Sequence, residues 1–287
     1  MTQPLQLDHL DDEIDDHDRG LVFDLSTLDR RRMLKLLGFG GLSAGLFVIA
    51  GCAPAGASSS TSAAGSAASA ASAAAGDSCA IIPEETAGPF PGDGSNGPDV
   101  LSQSGVVRSD IRSSFGSSTT VAQGIPLTIK LTIEDGTDCA PLAGAAVYLW
   151  HCDRDGNYSL YSQAAADENY LRGVQAADDN GVVTFTSIFP ACYPGRWPHI
   201  HFEVYPSLEM ATDERNRIAT SQVALPKASC DLAYATDGYA QSVTNLTQVS
   251  LQSDMVFGND GGVLQLGSVT GSVADGMTVA LAVPVNA

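Results

Sequence analysis

From Cys79 onward, short strand-like runs follow one another, Leu127–Glu134, Ala145–His151, Val182–Ile188, His199–Tyr205, Ile218–Leu225, Val249–Phe257 and Met277–Val285, and several of them alternate apolar and polar residues. Successive side chains of a strand point to opposite faces, so this alternation predicts strands that press one face against a core. Turn dipeptides separate the runs, among them Asp135-Gly136, Asp155-Gly156 and Asn180-Gly181. No long stretch carries a helical period, and no internal repeat is visible. The pattern predicts an all-β fold, a single antiparallel β-sandwich domain with long loops over residues 79–287.

The residues before Cys79 follow different rules. Asp8 to Asp18 form an acidic run without apolar period, and Arg30-Arg31-Arg32-Met33-Leu34-Lys35 then leads into the apolar stretch Leu36 to Ala50. A cationic patch before an apolar stretch shorter than the roughly 20 residues of a spanning helix predicts a signal peptide. The Arg-Arg-x-Met-Leu-Lys arrangement resembles a twin-arginine export signal. The stretch closes on Ile49-Ala50-Gly51-Cys52, which resembles a lipoprotein cleavage box with Cys52 as the acylated residue. Residues 1–51 are therefore expected to be an export leader. Residues 52–78, almost all Ala, Ser and Gly, are expected to be a disordered tether, because they cannot bury enough apolar surface to order themselves. The expected location is extracytoplasmic, on a membrane through the lipid at Cys52. An uncleaved N-terminal anchor would put the domain in the same place.

Composition narrows the partners. The 287 residues are 44% hydrophobic, enough for a core, and their formal net charge of -19 repels phosphate backbones, so nucleic acid is excluded as a partner. Beyond Cys52 the cysteines are Cys79, Cys139, Cys152, Cys192 and Cys230. An oxidising compartment allows disulfides, five thiols cannot all pair within one chain, and the connectivity is not readable. With no Cys-x-x-Cys pair, a zinc ribbon or thioredoxin-like site is not expected. Oligomeric state leaves no trace in the sequence.

Candidate chemistry gathers around histidine. The domain holds His151, His199 and His201, the last two in Pro198-His199-Ile200-His201-Phe202. On a strand, residues i and i+2 share a face, so both imidazoles can reach one metal ion. The same spacing also describes two solvated or core histidines. Tyr193 lies six residues before His199, and Pro194-Gly195 makes a tight turn that can bring it back toward the histidines. Tyr158 is a second candidate. Phenolates are hard anionic ligands suited to Fe(III), although a tyrosine in a sandwich also serves as a half-buried residue bonded through its hydroxyl. His151, beside Trp150, is assigned to structure.

Several longer motifs occur in a fixed order: Glu85-Thr86-Ala87-Gly88-Pro89-Phe90; Arg108-Ser109-Asp110-Ile111; Trp150-His151 through Tyr158-Ser159; Leu171-Arg172-Gly173-Val174-Gln175 with Asp179-Asn180-Gly181; and Tyr193-Pro194-Gly195-Arg196-Trp197-Pro198-His199-Ile200-His201-Phe202. Over roughly Glu85 to Gln222 this series resembles the intradiol ring-cleavage dioxygenases, the family of catechol 1,2-dioxygenase and protocatechuate 3,4-dioxygenase. The short loop from Tyr193 to His199 resembles that family's compact branch, in which a bulky aromatic often stands where this chain has Cys192.

The resemblance implies an Fe(3+) cofactor held by Tyr158, Tyr193, His199 and His201, a catechol-type substrate and O2 as reactants, and cleavage between the two hydroxyls to a muconate-type diacid without NADH. Tyr193 would be the ligand that gives way to substrate. Arg196 would stabilise the anionic intermediate, its alternative role being a salt bridge that anchors the loop. Gln222 would be an active-site glutamine, and Thr86, Gly88 and Pro89 would wall the substrate pocket. Of the 14 basic residues five lie in the leader, and the remaining nine form no obvious patch for a substrate carboxylate, which favours uncharged catechols. Two other readings stand beside this one. A non-catalytic, surface-tethered β-sandwich would bind a ligand or partner without iron. A zinc or copper hydrolase would use the same histidines, but it lacks a third His or a matching carboxylate motif.

Overall fold

The strand β1 (Pro126–Asp135) buries Leu127, Ile129, Leu131 and Ile133 and turns Pro126 and Lys130 to solvent, as its alternating sequence requires. It belongs to a computed structural model that describes residues 79–287. The leader, Cys52 and the Ala/Ser/Gly tether lie outside the described residues. The remaining strands are β2 (Ala146–Trp150), β3 (Arg172–Ala176), β4 (Val182–Ile188), β5 (His199–Tyr205), β6 (Ala219–Ala224), β7 (Ser268–Ser272) and β8 (Gly276–Val285).

They form two four-stranded sheets, in the orders β4-β1-β8-β7 and β3-β2-β5-β6. One continuous apolar core lies between the sheets, drawing Ile129 from β1, Phe185 from β4, Val147 from β2, Phe202 from β5 and Val279 from β8. Each such side chain contributes roughly 1.5–3 kcal/mol by leaving water. The first sheet departs from the expected all-antiparallel arrangement, because β8 runs parallel to β1 along the whole pairing from Leu127–Met277 to Asp135–Val285. Parallel neighbours need a long connection, and here most of the domain lies between the two strands.

The second sheet is buried on both faces, since β2, β5 and β6 have no exposed residue. On β5, Ile200, Phe202 and Val204 enter the inter-sheet core, while His199, His201, Glu203 and Tyr205 face the opposite way. Loops cover that second face and form a separate cluster around Tyr148, Trp150 and Tyr158.

Three further corrections to the sequence reading follow. Val249–Phe257, expected as a strand, is a series of turns ending in a short 3-10 helix, Phe257–Asn259. Ser253 Oγ accepts from Ser250 N at 2.9 Å, and Asp254 Oδ1 accepts from Val256 N at 2.8 Å and Phe257 N at 3.1 Å, so side chains take the backbone donors a ladder would use. Two helices, α1 (Lys227–Tyr234) and α2 (Ala240–Leu246), are too short to show a period over the polar residues between their few buried ones. The edge strand β7 is mostly exposed and carries no apolar alternation.

Cys79 and Cys139 form a disulfide, and Cys152, Cys192 and Cys230 are free and buried. Among the described residues no helix is long and apolar enough to cross a membrane.

Candidate active site

The second face of the β3-β2-β5-β6 sheet carries the candidate residues. Strand pairing sets His201 opposite Trp150 on one side and opposite Gln222 on the other. The Trp150 ring stacks on His201 with centroids 4.9 Å apart and planes 5° apart, which fixes the imidazole plane. Two loops bring the tyrosines. Tyr158 ends the turn after β2, where Asp153 Oδ1 accepts from Asp155 N and Asn157 N, and its amide donates to Ser162 Oγ. Tyr193 sits on the loop leading into β5, whose turn needs the positive φ of Gly195, +87°.

The helices α1 and α2 hold that second loop by its backbone. Tyr234 and Tyr239 donate to Pro190 O and Phe189 O, Asn245 donates to Cys192 O, and Ser242 Oγ accepts from Cys192 N. Cys192 makes no disulfide; its side chain faces the inter-sheet core.

Four donor atoms meet at one point. His199 Nε2 lies 3.0 Å from His201 Nε2, 3.2 Å from Tyr193 Oη and 3.4 Å from Tyr158 Oη. Both histidines and Tyr158 are buried, and Tyr193 is half-buried. Burial pushes the Tyr158 phenol well above its ordinary range and the Tyr193 phenol up to about 12, and it holds both imidazoles well below theirs. The nearby Arg196 guanidinium acts against burial on Tyr193 and with it on His199. On His199 the far nitrogen Nδ1 lies 2.6 Å from Trp197 O, which leaves Nε2 as the lone-pair atom aimed at the tyrosines.

Such a donor set fits a hard trivalent cation. Two imidazoles stay neutral, and a bound cation would draw the protons off two phenols, as cations do to their ligands. Among the described residues no three His, Cys, Asp or Glu side chains gather where they could hold a metal, so the tyrosines are needed to complete any ligand set built on these histidines.

Comparison with known proteins agrees with the geometry. Residues 97–199, which include Tyr158, Tyr193 and His199, match the family model Dioxygenase_C, described as Dioxygenase. A chlorocatechol 1,2-dioxygenase of Rhodococcus opacus is 40% identical over 57 residues, 20% of this chain and 22% of that protein. A catechol 1,2-dioxygenase of Candida albicans is 32% identical over 77 residues, 26% of this chain and 25% of that protein. The match thus spans about a quarter of the length of these curated relatives. The structure of an intradiol ring-cleavage dioxygenase from Tetranychus urticae superposes with a TM-score of 0.56 at 25% identity, covering 72% of this chain and 95% of that one. These matches support the intradiol ring-cleavage dioxygenase family for this chain.

Around the four donors, the other residues singled out from the sequence fall into two groups. Arg196 is buried against the site, donating from Nη2 to Gln222 Oε1 at 2.6 Å, and Gln222 Nε2 donates to Thr86 O at 3.0 Å. Gly88 stands over His201: a Cβ on it would lie 3.3 Å from His201 Cε1, and its φ of +73° suits glycine. Pro89 is half-buried, and its carbonyl accepts from Asn96 Nδ2 at 2.9 Å. His151 does not join the four donors. Its ring nitrogens lie 2.7 Å from Cys152 O and Ser187 Oγ, and burial lowers it to about 4.

Sequence reasoning missed two residues that shape the site. Arg172 is wholly buried and donates to Phe90 O, Pro91 O, Ser159 O, Ser159 Oγ and Tyr148 Oη. It ties the Thr86–Pro91 loop to the Tyr158 loop, and Phe90 packs on Tyr158 with ring centroids 5.0 Å apart. An arginine at the head of a short strand, within the Leu171–Gln175 motif, was the available signal. Asp254 pairs with Arg196 at 3.0 Å; its run was expected to be a strand, which hid it.

Proposed function

We propose that the domain is a non-haem iron(III) dioxygenase that cleaves a catechol-type ring between its two hydroxyl-bearing carbons with O2, giving a muconate-type diacid. The observation that carries this reading is the meeting of Tyr158 Oη, Tyr193 Oη, His199 Nε2 and His201 Nε2 within 3.0–3.4 Å of His199 Nε2. These four residues would hold Fe(III), which supplies the Lewis acidity and one-electron chemistry that make a catechol reactive toward O2 without external reductant.

The chain's own residues do the rest. Tyr158 is pinned under Phe90, whereas Tyr193 is half-buried on a loop. Tyr193 is therefore the phenol with room to yield to substrate and to take one of the diol's two protons on Oη. Arg196 keeps its charge in the buried site, because Tyr193 and Asp254 offset the cost of burial; it stabilises the negative charge that develops on the ring oxygens. Gln222, itself held by the Thr86 carbonyl, fixes the guanidinium from the far side. Gly88, without a side chain, leaves room for a flat ring beside His201. Arg172 is committed to loop oxygens and Arg196 to Asp254 and Gln222, which supports an uncharged catechol over a ring bearing a carboxylate. The leader and Cys52 support an exported, lipid-anchored enzyme, and the Cys79–Cys139 disulfide fits an oxidising compartment.

A visible spectrum of the purified domain, with and without catechol, tests the reading. A tyrosinate-to-Fe(III) band that shifts on adding catechol is the expected result. A protein that stays colourless after anaerobic Fe(II) loading and reoxidation would overturn it and leave a ligand-binding β-sandwich in its place.

A further inference from the structure

Asp254 lies on none of the motifs that mark the site, yet its buried carboxylate pairs with the Arg196 guanidinium beside the four donors. We infer that Asp254 is the positioning residue for Arg196: its carboxylate fixes both the guanidinium and the peptide that leads into His199. The inference rests on the function proposed above, in which Arg196 meets the developing anion.

Both partners are removed from water, with side-chain exposures of 5% for Arg196 and 0% for Asp254. Asp254 Oδ2 accepts from Arg196 Nε at 3.0 Å and from Trp197 N at 2.6 Å. Its other oxygen accepts from Val256 N at 2.8 Å and Phe257 N at 3.1 Å. Four donors on two oxygens leave the carboxylate no freedom to rotate. The guanidinium is then held at two corners, Nε by Asp254 and Nη2 by Gln222 Oε1 at 2.6 Å, while its face lies 6.0 Å from the Phe257 ring centroid. Nη1 donates to no protein acceptor among the described residues, so the corner left over is the one available to a substrate oxygen.

The same carboxylate reaches the metal-ligand strand. Trp197 donates its N–H to Asp254, and the carbonyl of Trp197 lies 2.6 Å from His199 Nδ1. One oxygen atom therefore sets the direction of the guanidinium and anchors the peptide that orients the imidazole. An ion pair serving only to anchor the loop would not need a bond to Trp197, nor a glutamine closing the other side of the guanidinium.

The test compares Asp254→Asn and Arg196→Lys with the wild type, all iron-loaded. Asp254→Asn keeps the shape and removes the charge. Arg196→Lys keeps the charge and removes the Nε and Nη2 donors, so it remains informative if Asp254→Asn does not fold. For both variants the visible band and its shift with catechol are expected to persist, kcat to fall 10- to 100-fold, and KM to change less than threefold. In the double variant Asp254→Asn, Arg196→Lys the loss should be no greater than in the worse single variant. Retention of kcat in either single variant, or multiplicative losses in the double, overturns the inference.

A separate readout is the solvent exchange of the Arg196 Nε–H, followed by NMR of the wild type and Asp254→Asn. Exchange at least tenfold faster in Asp254→Asn is expected, and equal exchange overturns the inference. If the wild type turns over no catechol, the proposed function fails, and the exchange measurement still decides whether Asp254 holds Arg196.

Discussion

The indole of Trp150 lies face to face with the imidazole of His201, planes 5° apart, because β2 and β5 pair these two residues directly. One cross-strand pair thus fixes the ring plane of a proposed ligand, and the sheet supplies the rigidity. Trp150→Ala would open a cavity in a wholly buried position and is expected to cost about 3–5 kcal/mol. It should also weaken iron retention roughly 10- to 100-fold, the usual effect of removing a ligand's outer support. Trp150→Phe keeps a flat ring against His201 and should lose much less of both. Urea unfolding and a chelator competition measure the two effects; equal iron retention in the alanine and phenylalanine variants would sever the link between the stack and the site.

The two tyrosines make separable predictions. Tyr158→Phe deletes one oxygen from a ring that stays packed on Phe90, so the fold should hold within about 1.5 kcal/mol. Its turnover should drop at least ~100-fold, about 2.7 kcal/mol of transition-state stabilisation, with the visible band reduced or shifted. Tyr193→Phe should lose turnover to a similar degree and lose the catechol-induced change in that band. Stopped-flow absorbance with catechol reads both, and full activity in either variant would remove that tyrosine from the ligand set.

The sequence carried the site more clearly than the fold around it. His199 and His201 share a face by strand spacing alone, and the strand limits of β1, β2, β4, β5, β6 and β8 fall within a residue or so of the alternating runs. The convergence of Tyr158 and Tyr193 depends on tertiary contacts, the Asp153 turn for one and the helices α1 and α2 for the other, and only the family motifs announced it. The parallel β1–β8 pairing was hidden because alternation says nothing about strand direction. Val249–Phe257 misled because Ser250, Ser253 and Asp254 capture the backbone donors locally, a competition that a hydrophobic count does not register. That miss concealed Asp254 as well.

Glu85 gives the pH dependence of stability a sign. Burial raises its carboxyl from 4.5 to about 7, with Gln265 Nε2 nearby and the Asp260 carboxylate opposing ionisation. The folded state therefore holds a proton that the unfolded chain has released, and its contribution to stability is greatest below pH 4.5, falls as pH rises toward 7, and is constant above. Glu85→Gln imitates the protonated acid. Its melting temperature should exceed that of the wild type at pH 8 by a few degrees, and the gap should close by pH 4. Thermal unfolding at the two pH values checks this; an unchanged gap would show that Glu85 titrates alike in both states.

Arg172 offers the sharpest test of how the loops are held. Its guanidinium donates to five oxygens, from Phe90, Pro91, Ser159 and Tyr148. A lysine in its place keeps the charge but has three donors on a single nitrogen, so buried carbonyls must go unpaired. Each orphaned carbonyl costs ~1–3 kcal/mol, and Arg172→Lys is expected to destabilise the domain by roughly 2–4 kcal/mol. Because the bonds lost are those that join the Thr86–Pro91 loop to the Tyr158 loop, amide exchange should quicken in residues 86–92 and 158–162 before the strands open. Uniform exchange across the domain would mean that Arg172 supports the sheet as a whole, while a change under 0.5 kcal/mol would mean that these hydrogen bonds form as readily with water.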